Sequence, residues 1–248
     1  MYAIIGGSGL AKLTALESPR RQVMRTPYGA PSGALTFGRL GGADVVFLAR
    51  HGYGHTLAPH EINYRANIWA LKELKVDGIV SVATVGGIRA DLGPGALALP
   101  DQIIDYTHSR KATFFEGSET PVIHVDFTIP YSTPLRAALL AAAARCGEPL
   151  IDGGVYACTQ GPRLETAAEI ERIARDGGDM VGMTGMPEAV LAREAGVAYA
   201  TLGVVVNHAA GRGTSKEAIL LEELDRVLNV SVTRAVRILV AFVGGAYA

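Results

Sequence analysis

The stretch Gly203-Val-Val-Val-Asn-His-Ala-Ala-Gly211 decides how the chain is read. Its valines close an apolar run over 197–206 that shows no polar alternation. A run of that kind is a strand buried on both faces, as in a parallel sheet covered by helices. It ends on a side-chain amide, Asn207, with His208 beside it. Asn207 is either a turn-former that closes the strand or a group that meets a ligand beyond the strand's carboxyl end.

Outward from this strand, further short β-branched runs bounded by glycine predict strands near 2–5, 34–38, 44–49, 78–83, 96–105, 152–158 and 179–182. Helical patterns lie between them. Residues 61–74 place Ile62, Ala66, Trp69, Ala70 and Leu74 on one stripe, and 133–145 is rich in alanine and leucine with Pro134 in the first turn. Thr166-Ala-Ala-Glu169 and Thr214-Ser-Lys-Glu217 have the form of capping boxes and predict helices opening near 167 and 215. The last helix is expected to bury Leu220, Leu221, Leu224, Leu228, Ala235, Ile238 and Leu239. Strands alternating with helices predict an α/β fold. The expected architecture is one domain over 1–248, a central mixed, mostly parallel β-sheet flanked by helices.

The composition fits that reading. The 248 residues are 49% hydrophobic and 19% charged, enough for one sizeable core, and the net charge of −1 suggests neither a nucleic-acid nor a membrane partner. Cys146 and Cys158 form no C-x-x-C and no disulfide framework. With no signal peptide read at the N-terminus and no run of membrane-span length, the expected location is the cytoplasm.

Several motifs are incomplete. Gly6-Gly7-Ser8-Gly9-Leu10 follows the first strand, but Lys12 stands where a dinucleotide fingerprint needs glycine, and Leu10 where a nucleophile elbow needs one. What remains is a glycine turn with a hydroxyl, suited to an anion. Arg50-His51-Gly-Tyr-Gly-His55, with His60, puts three histidines in ten residues, yet no carboxylate or cysteine completes a metal set, so no metal is expected. An arginine fork with a histidine donor suits an oxyanion better. Thr84 and Thr184 close two further strands. Ser8, Arg50, His51, Thr84 and Thr184 therefore form a set of anion-capable groups at strand ends, which predicts a phosphate-sized site.

I-I-G-G-S-G-L (4–10), R-H-G-Y-G-H (50–55), N-Y-R-A-N-I-W-A-L (63–71), T-Q-G-P-R-L-E-T (159–166), G-M-T-G-M-P-E-A (182–189) and the strand ending at Asn207 occur in the order seen in trimeric purine nucleoside phosphorylases. Over nearly its whole length the chain resembles that family, and its N-terminal half most resembles the methylthioadenosine phosphorylase branch. The resemblance implies a nucleoside phosphorylase fold and phosphorolysis of a purine nucleoside to free purine and a ribose 1-phosphate. It also implies a homotrimer with sites at subunit interfaces, inorganic phosphate as co-substrate, and no metal or organic cofactor. Position by position it puts phosphate at Ser8, Arg50, His51, Thr84 and Thr184, ribose at Met183, and purine at Glu165 and Asn207. His124 would reach the 5′ end of the substrate from the neighbouring subunit.

The residue types then bear on the substrate. A carboxylate at 165 accepts from the N1–H of a 6-oxopurine and repels adenine N1, while the Asn207 amide can donate to O6 and N7. The methylthioadenosine branch has aspartate at the position of Asn207, so that substrate is disfavoured. Phosphorylases of ordinary nucleosides place a histidine near the position of Leu221. Here Leu220 and Leu221 either wall an apolar 5′ pocket or merely face the core. The combination predicts S-methyl-5′-thioinosine as substrate, with inosine or guanosine as the alternative and methylthioadenosine third. Asn207, His51 and Ser8 are the expected catalytic groups, and Leu221 the expected contact to the 5′ substituent.

Overall fold

The computed structural model describes residues 1–118 and 120–245; the remainder of the expected 1–248 domain lies outside the described residues. Among the described residues eleven strands form one sheet: β1 Tyr2–Gly6, β2 Glu17–Gln22, β3 Leu35–Leu40, β4 Ala43–Ala49, β5 Ile79–Gly87, β6 Leu97–Leu99, β7 Gln102–Asp105, β8 Ile151–Asp152, β9 Val155–Cys158, β10 Met180–Gly182 and β11 Tyr199–His208. Five α-helices flank it: α1 Tyr64–Glu73, α2 Thr133–Arg145, α3 Ala167–Arg175, α4 Gly185–Glu194 and α5 Leu221–Gly245. The fold is the expected mixed α/β one. The apolar runs at 2–6, 43–49, 79–87 and 199–208 become the central β1, β4, β5 and β11, with parallel β4–β1, β1–β5 and β5–β11 pairing.

β5 organises the sheet. β1 stops opposite Val82, and antiparallel β10 begins opposite Gly86. Between those registers Ala83, Thr84 and Val85 keep β11 on one side and have neither β1 nor β10 on the other. The sheet splits there, and a switch point of this type is where α/β sheets bind ligands. Thr84 therefore lies inside a nine-residue strand rather than beyond its end, because β5 runs on to Gly87.

Several elements differ from expectation. The single strand expected over 96–105 is two, β6 and β7, which pair with different partners on either side of Pro100, a residue with no backbone donor. Residues 152–158 divide likewise into β8 and β9, because Gly153 and Gly154 take φ of +82° and +122°. β2 is exposed along its whole length and has no apolar alternation. It forms by pairing with β3, while Arg20 and Arg21 lie over the rings of Phe37 and Tyr53.

Thr166 does make the capping box with Glu169. Thr214 does not open a helix: its hydroxyl and backbone N–H both face Nδ1 of His208, at 3.0 and 3.3 Å. Gly213–Ser215 forms a 3₁₀ turn, and α5 begins only at Leu221. By length and composition α5 would also serve as a membrane-crossing helix, which the apolar runs of the sequence did not suggest. Here its stripe of Val232, Ala235, Ile238, Leu239, Phe242 and Val243 is buried in the core shared with α2 and the sheet. Leu220 and Leu221, expected to be buried, are 59% and 66% exposed.

One ion pair ties the two halves of the sheet together. Arg50, directly after β4, is fully buried, as is Glu188 in the first turn of α4. Nε and Nη2 of Arg50 donate to the two Glu188 oxygens at 2.7 and 2.9 Å, and Tyr199 Oη donates to Glu188 at 2.8 Å. The Glu188 charge raises the guanidinium pKa against the opposing effect of burial. Removing one partner of such a pair strands a buried charge. Glu188→Ala should therefore lose about 3–5 kcal/mol of stability, measured by urea unfolding; a loss within experimental error would show that the pair does not hold β4 to α4.

Candidate active site

A cavity of about 580 Å³ opens at the split in the sheet. Of the residues singled out from the sequence, Ser8, Arg50, His51, Thr84, Glu165, Met183, Thr184 and Asn207 all line it, although they come from six separate stretches of chain. Two do not. Leu221 points to solvent, and the apolar end of the cavity is formed instead by Ile219, Leu224 and Leu228, with Asp225 among them. The physical reason is the late start of α5, which turns Leu224 and Leu228 inward. Leu228 packs so closely on Gly9 that a Cβ there would lie 2.7 Å from its Cγ. His124 is exposed on the chain between β7 and α2 and is not among the residues lining its own chain's cavity.

Ser8 hangs on the turn after β1. Gly7 N–H donates to Val82 O at 3.1 Å, and a Cβ at Gly7 would stand 2.7 Å from Nη1 of Arg50, so only glycine lets the guanidinium approach. Ser8 Oγ lies 3.5 Å from Nε2 of His55, a cavity residue to which the sequence assigned nothing. Thr184 lines the cavity just before α4, whose first turn is interrupted by the extended backbone of Met186, and its backbone N–H donates to Tyr156 Oη at 3.4 Å.

Arg50 presents less than the sequence suggests. Of its five N–H groups, three go to Glu188 and to Ser81 Oγ (2.5 Å), and one Nη1 hydrogen goes to Val82 O at 3.0 Å. One Nη1 hydrogen remains, and the Glu188 carboxylate cancels the charge. The bidentate fork expected to face an anion is spent on the protein itself.

His51 differs in the same spirit. It is buried, and its Nδ1 lies 2.8 Å from Leu57 O, which makes Nδ1 the protonated nitrogen. Burial, with the Arg50 charge behind it, lowers its pKa to about 4. At neutral pH Nε2 therefore carries a lone pair, so the histidine read as a donor is an acceptor.

Glu165 and Asn207 both line the cavity with part of their capacity committed. Thr159 Oγ1 donates to Glu165 Oε1 at 2.6 Å and leaves Oε2 open. Nδ2 of Asn207 donates to His208 O at 2.6 Å, which leaves one N–H and the carbonyl oxygen. Asn207 sits just past a register shift between Val205 and Asn207, opposite Gly86, where a Cβ would be 3.4 Å from its Nδ2. His208, for which no role is read from the sequence, fastens the 209–215 turn through Thr214. Among the described residues no group of three His, Cys, Asp or Glu is arranged to hold a metal ion.

A family model described as the phosphorylase superfamily matches residues 1–244. The chain belongs to the phosphorylase superfamily. It is 53% identical over 228 residues, 92% of either chain, to a Pseudomonas syringae pv. tomato protein named probable S-methyl-5′-thioinosine phosphorylase. It is 50% identical over 219 residues, 86% of this chain and 82% of the other, to the 6-oxopurine nucleoside phosphorylase of Pyrococcus furiosus. Methylthioadenosine phosphorylase from Schistosoma mansoni, solved with adenine, superposes with a TM-score of 0.94 at 30% identity, covering 99% of this chain and 91% of that one. This superfamily member is an enzyme of the nucleoside phosphorylase class, a pentosyltransferase acting on small-molecule nucleosides.

The lowered pKa of His51 has a consequence for stability. Its unfolded form titrates near 6.5 and its folded form near 4, so between those values the unfolded chain binds more protons. The stabilisation that goes with a neutral His51 is present above pH 6.5 and is lost as pH falls towards 4. Unfolding free energy from pH 7 to 4.5 should fall less steeply in His51→Gln than in wild type; parallel profiles would contradict the assignment.

Proposed function

We propose that the protein catalyses phosphorolysis of S-methyl-5′-thioinosine, giving hypoxanthine and 5-(methylthio)ribose 1-phosphate. The observation that carries this reading is one cavity with three chemically distinct sets of groups. Its lining combines a carboxylate and an amide, Glu165 and Asn207, with the anion-capable Ser8, Arg50, His51, Thr84 and Thr184 and with the apolar Ile219, Leu224 and Leu228.

In this reading phosphate lies among the hydroxyls and the remaining Arg50 N–H, beneath the anomeric carbon. The neutral His51 orients it: a hydrogen phosphate dianion still carries one P–OH, which can donate to Nε2, leaving three bare oxygens for Ser8, Thr84, Thr184 and Arg50. As the glycosidic C–N bond breaks, the ribosyl group gains cationic character, a bare phosphate oxygen bonds to its anomeric carbon, and the negative charge that builds on the purine is neutralised by the proton that the P–OH gives up. The one uncommitted N–H of Asn207 donates to the purine's N7 or O6, and Glu165 Oε2 accepts N1–H. Adenine would set its N1 lone pair against that carboxylate. The names of the relatives from Pseudomonas syringae and Pyrococcus furiosus support the same 6-oxo preference.

Asp225 supports a second reading. A carboxylate at the otherwise apolar end can accept from a 5′-hydroxyl, which would make inosine or guanosine the better substrate. Within either reading the protein works as a cytoplasmic homotrimer without metal or organic cofactor. Exposed Val122 and Ile123 beside His124 support a subunit contact that delivers this histidine to a neighbouring cavity.

Comparison of kcat/KM for methylthioinosine, methylthioadenosine and inosine tests the proposal. Methylthioinosine should lead, and Asn207→Asp should cut its advantage over methylthioadenosine by roughly tenfold or more, since an unpaired polar group in the pocket can cost far more than that. A 6-aminopurine preference in wild type, or an unchanged ratio in the variant, would overturn the base assignment.

A further inference from the structure

Arg110 belongs to the irregular chain between β7 and α2, where nothing in the sequence marks it. Its half-buried guanidinium makes an unusual set of bonds. Nη1 donates to Met186 O at 2.6 Å and Met183 O at 2.8 Å, with Tyr64 Oη at 3.3 Å. Nη2 donates to Gln160 O at 2.8 Å and Thr159 O at 3.3 Å, and Nε to Gln160 Oε1 at 3.2 Å. Its partners are thus four main-chain carbonyls, a phenol and an amide. Among the described residues it makes no ion pair with a carboxylate, in contrast to Arg50.

The four carbonyls belong to the two segments that leave β9 and β10. The first, through Thr159, holds Glu165 at 2.6 Å; the second carries Met183 and Thr184 into the cavity. Thr159 N–H also donates to Gly182 O at 2.8 Å, so the segments are already adjacent. Tyr64 adds a third, because its hydroxyl donates to Pro59 O, which belongs to the turn carrying His51 and Leu57. Carbonyl oxygens turned towards one another repel, and a planar five-donor cation between them fixes their spacing in a way a point charge cannot.

We infer that Arg110 is a positioning residue that couples the purine half of the cavity to its phosphate half. The inference rests on the proposed phosphorolysis, since it supposes that both ligands enter this cavity. When purine pulls on Glu165, the strain reaches Thr184 through the carbonyls that Arg110 holds; phosphate at Thr184 sends it the other way. Such a link is reciprocal, so phosphate should tighten purine binding by the same factor by which purine tightens phosphate binding.

Calorimetric titration of the full-length protein with hypoxanthine, with and without saturating inorganic phosphate, tests this. In wild type, phosphate should tighten hypoxanthine about fivefold or more. Arg110→Lys keeps the charge but loses the fork, and there the two affinities should agree within about twofold. If the lysine variant is unfolded, Gln160→Leu, which removes the acceptor of Arg110 Nε together with that of the His108 N–H, should lose about half of the coupling or more. Coupling that is absent in wild type, or intact in Arg110→Lys or Gln160→Leu, would overturn the role of Arg110 and leave the phosphorylase reading standing. Failure of wild type to bind either ligand would instead sink that reading.

Discussion

The buried pair of Arg50 and Glu188 is the constraint on which the rest of the site depends. It joins the end of β4 to the first turn of α4, two segments whose neighbours His51 and Thr184 line the cavity. It also sets the electrostatics. With its charge cancelled and four of its five N–H groups used, Arg50 has one N–H left for the phosphate of the proposed reaction, beside hydroxyl dipoles and a neutral histidine. A site built this way can release a ribose phosphate product more readily than one built on a bare guanidinium, whose charge-assisted bonds are about twice as strong as neutral ones.

A second pattern runs through the cavity: three of the side chains to which the proposed reaction gives a role are each held by a neighbour that uses up part of their capacity. Thr159 holds Glu165, the main chain of His208 holds Asn207, and Leu57 O fixes the tautomer of His51. The free valence left on each is the one the proposed chemistry requires. Such restraint lowers the cost of ordering the site when substrate arrives and sharpens the choice between oxygen and nitrogen at purine C6.

Much of this was legible in the sequence because short glycine-bounded apolar runs mark central strands; parallel β1, β4, β5 and β11 carry the groups at their carboxyl ends to one edge, and antiparallel β10 runs back to the split and brings Thr184 there. Hence Ser8, Arg50, His51, Thr184 and Asn207 could be gathered without coordinates. Thr84 was gathered as well, although its reason was different: it lies within β5 at the split, not beyond its end. What could not be read were partners distant in sequence. Nothing near Glu188 announces a bond to a residue 138 positions away, and nothing near Arg110 announces carbonyl partners on two other segments. The late start of α5 was hidden for a related reason. The Thr214 motif looks local, but His208 had already claimed its hydroxyl, and this shifted the apolar wall from Leu221 to Leu224 and Leu228. β2 has no apolar signal at all and exists because β3 offers it an edge.

In the proposed reaction phosphate, not water, takes the ribosyl group. Following a reaction of methylthioinosine with the purified protein by ³¹P NMR tests it directly. A pentose 1-phosphate signal should grow in equal amount with free hypoxanthine, and both should stop when phosphate is withheld. Hypoxanthine released at the same rate without phosphate, with no ester formed, would contradict it.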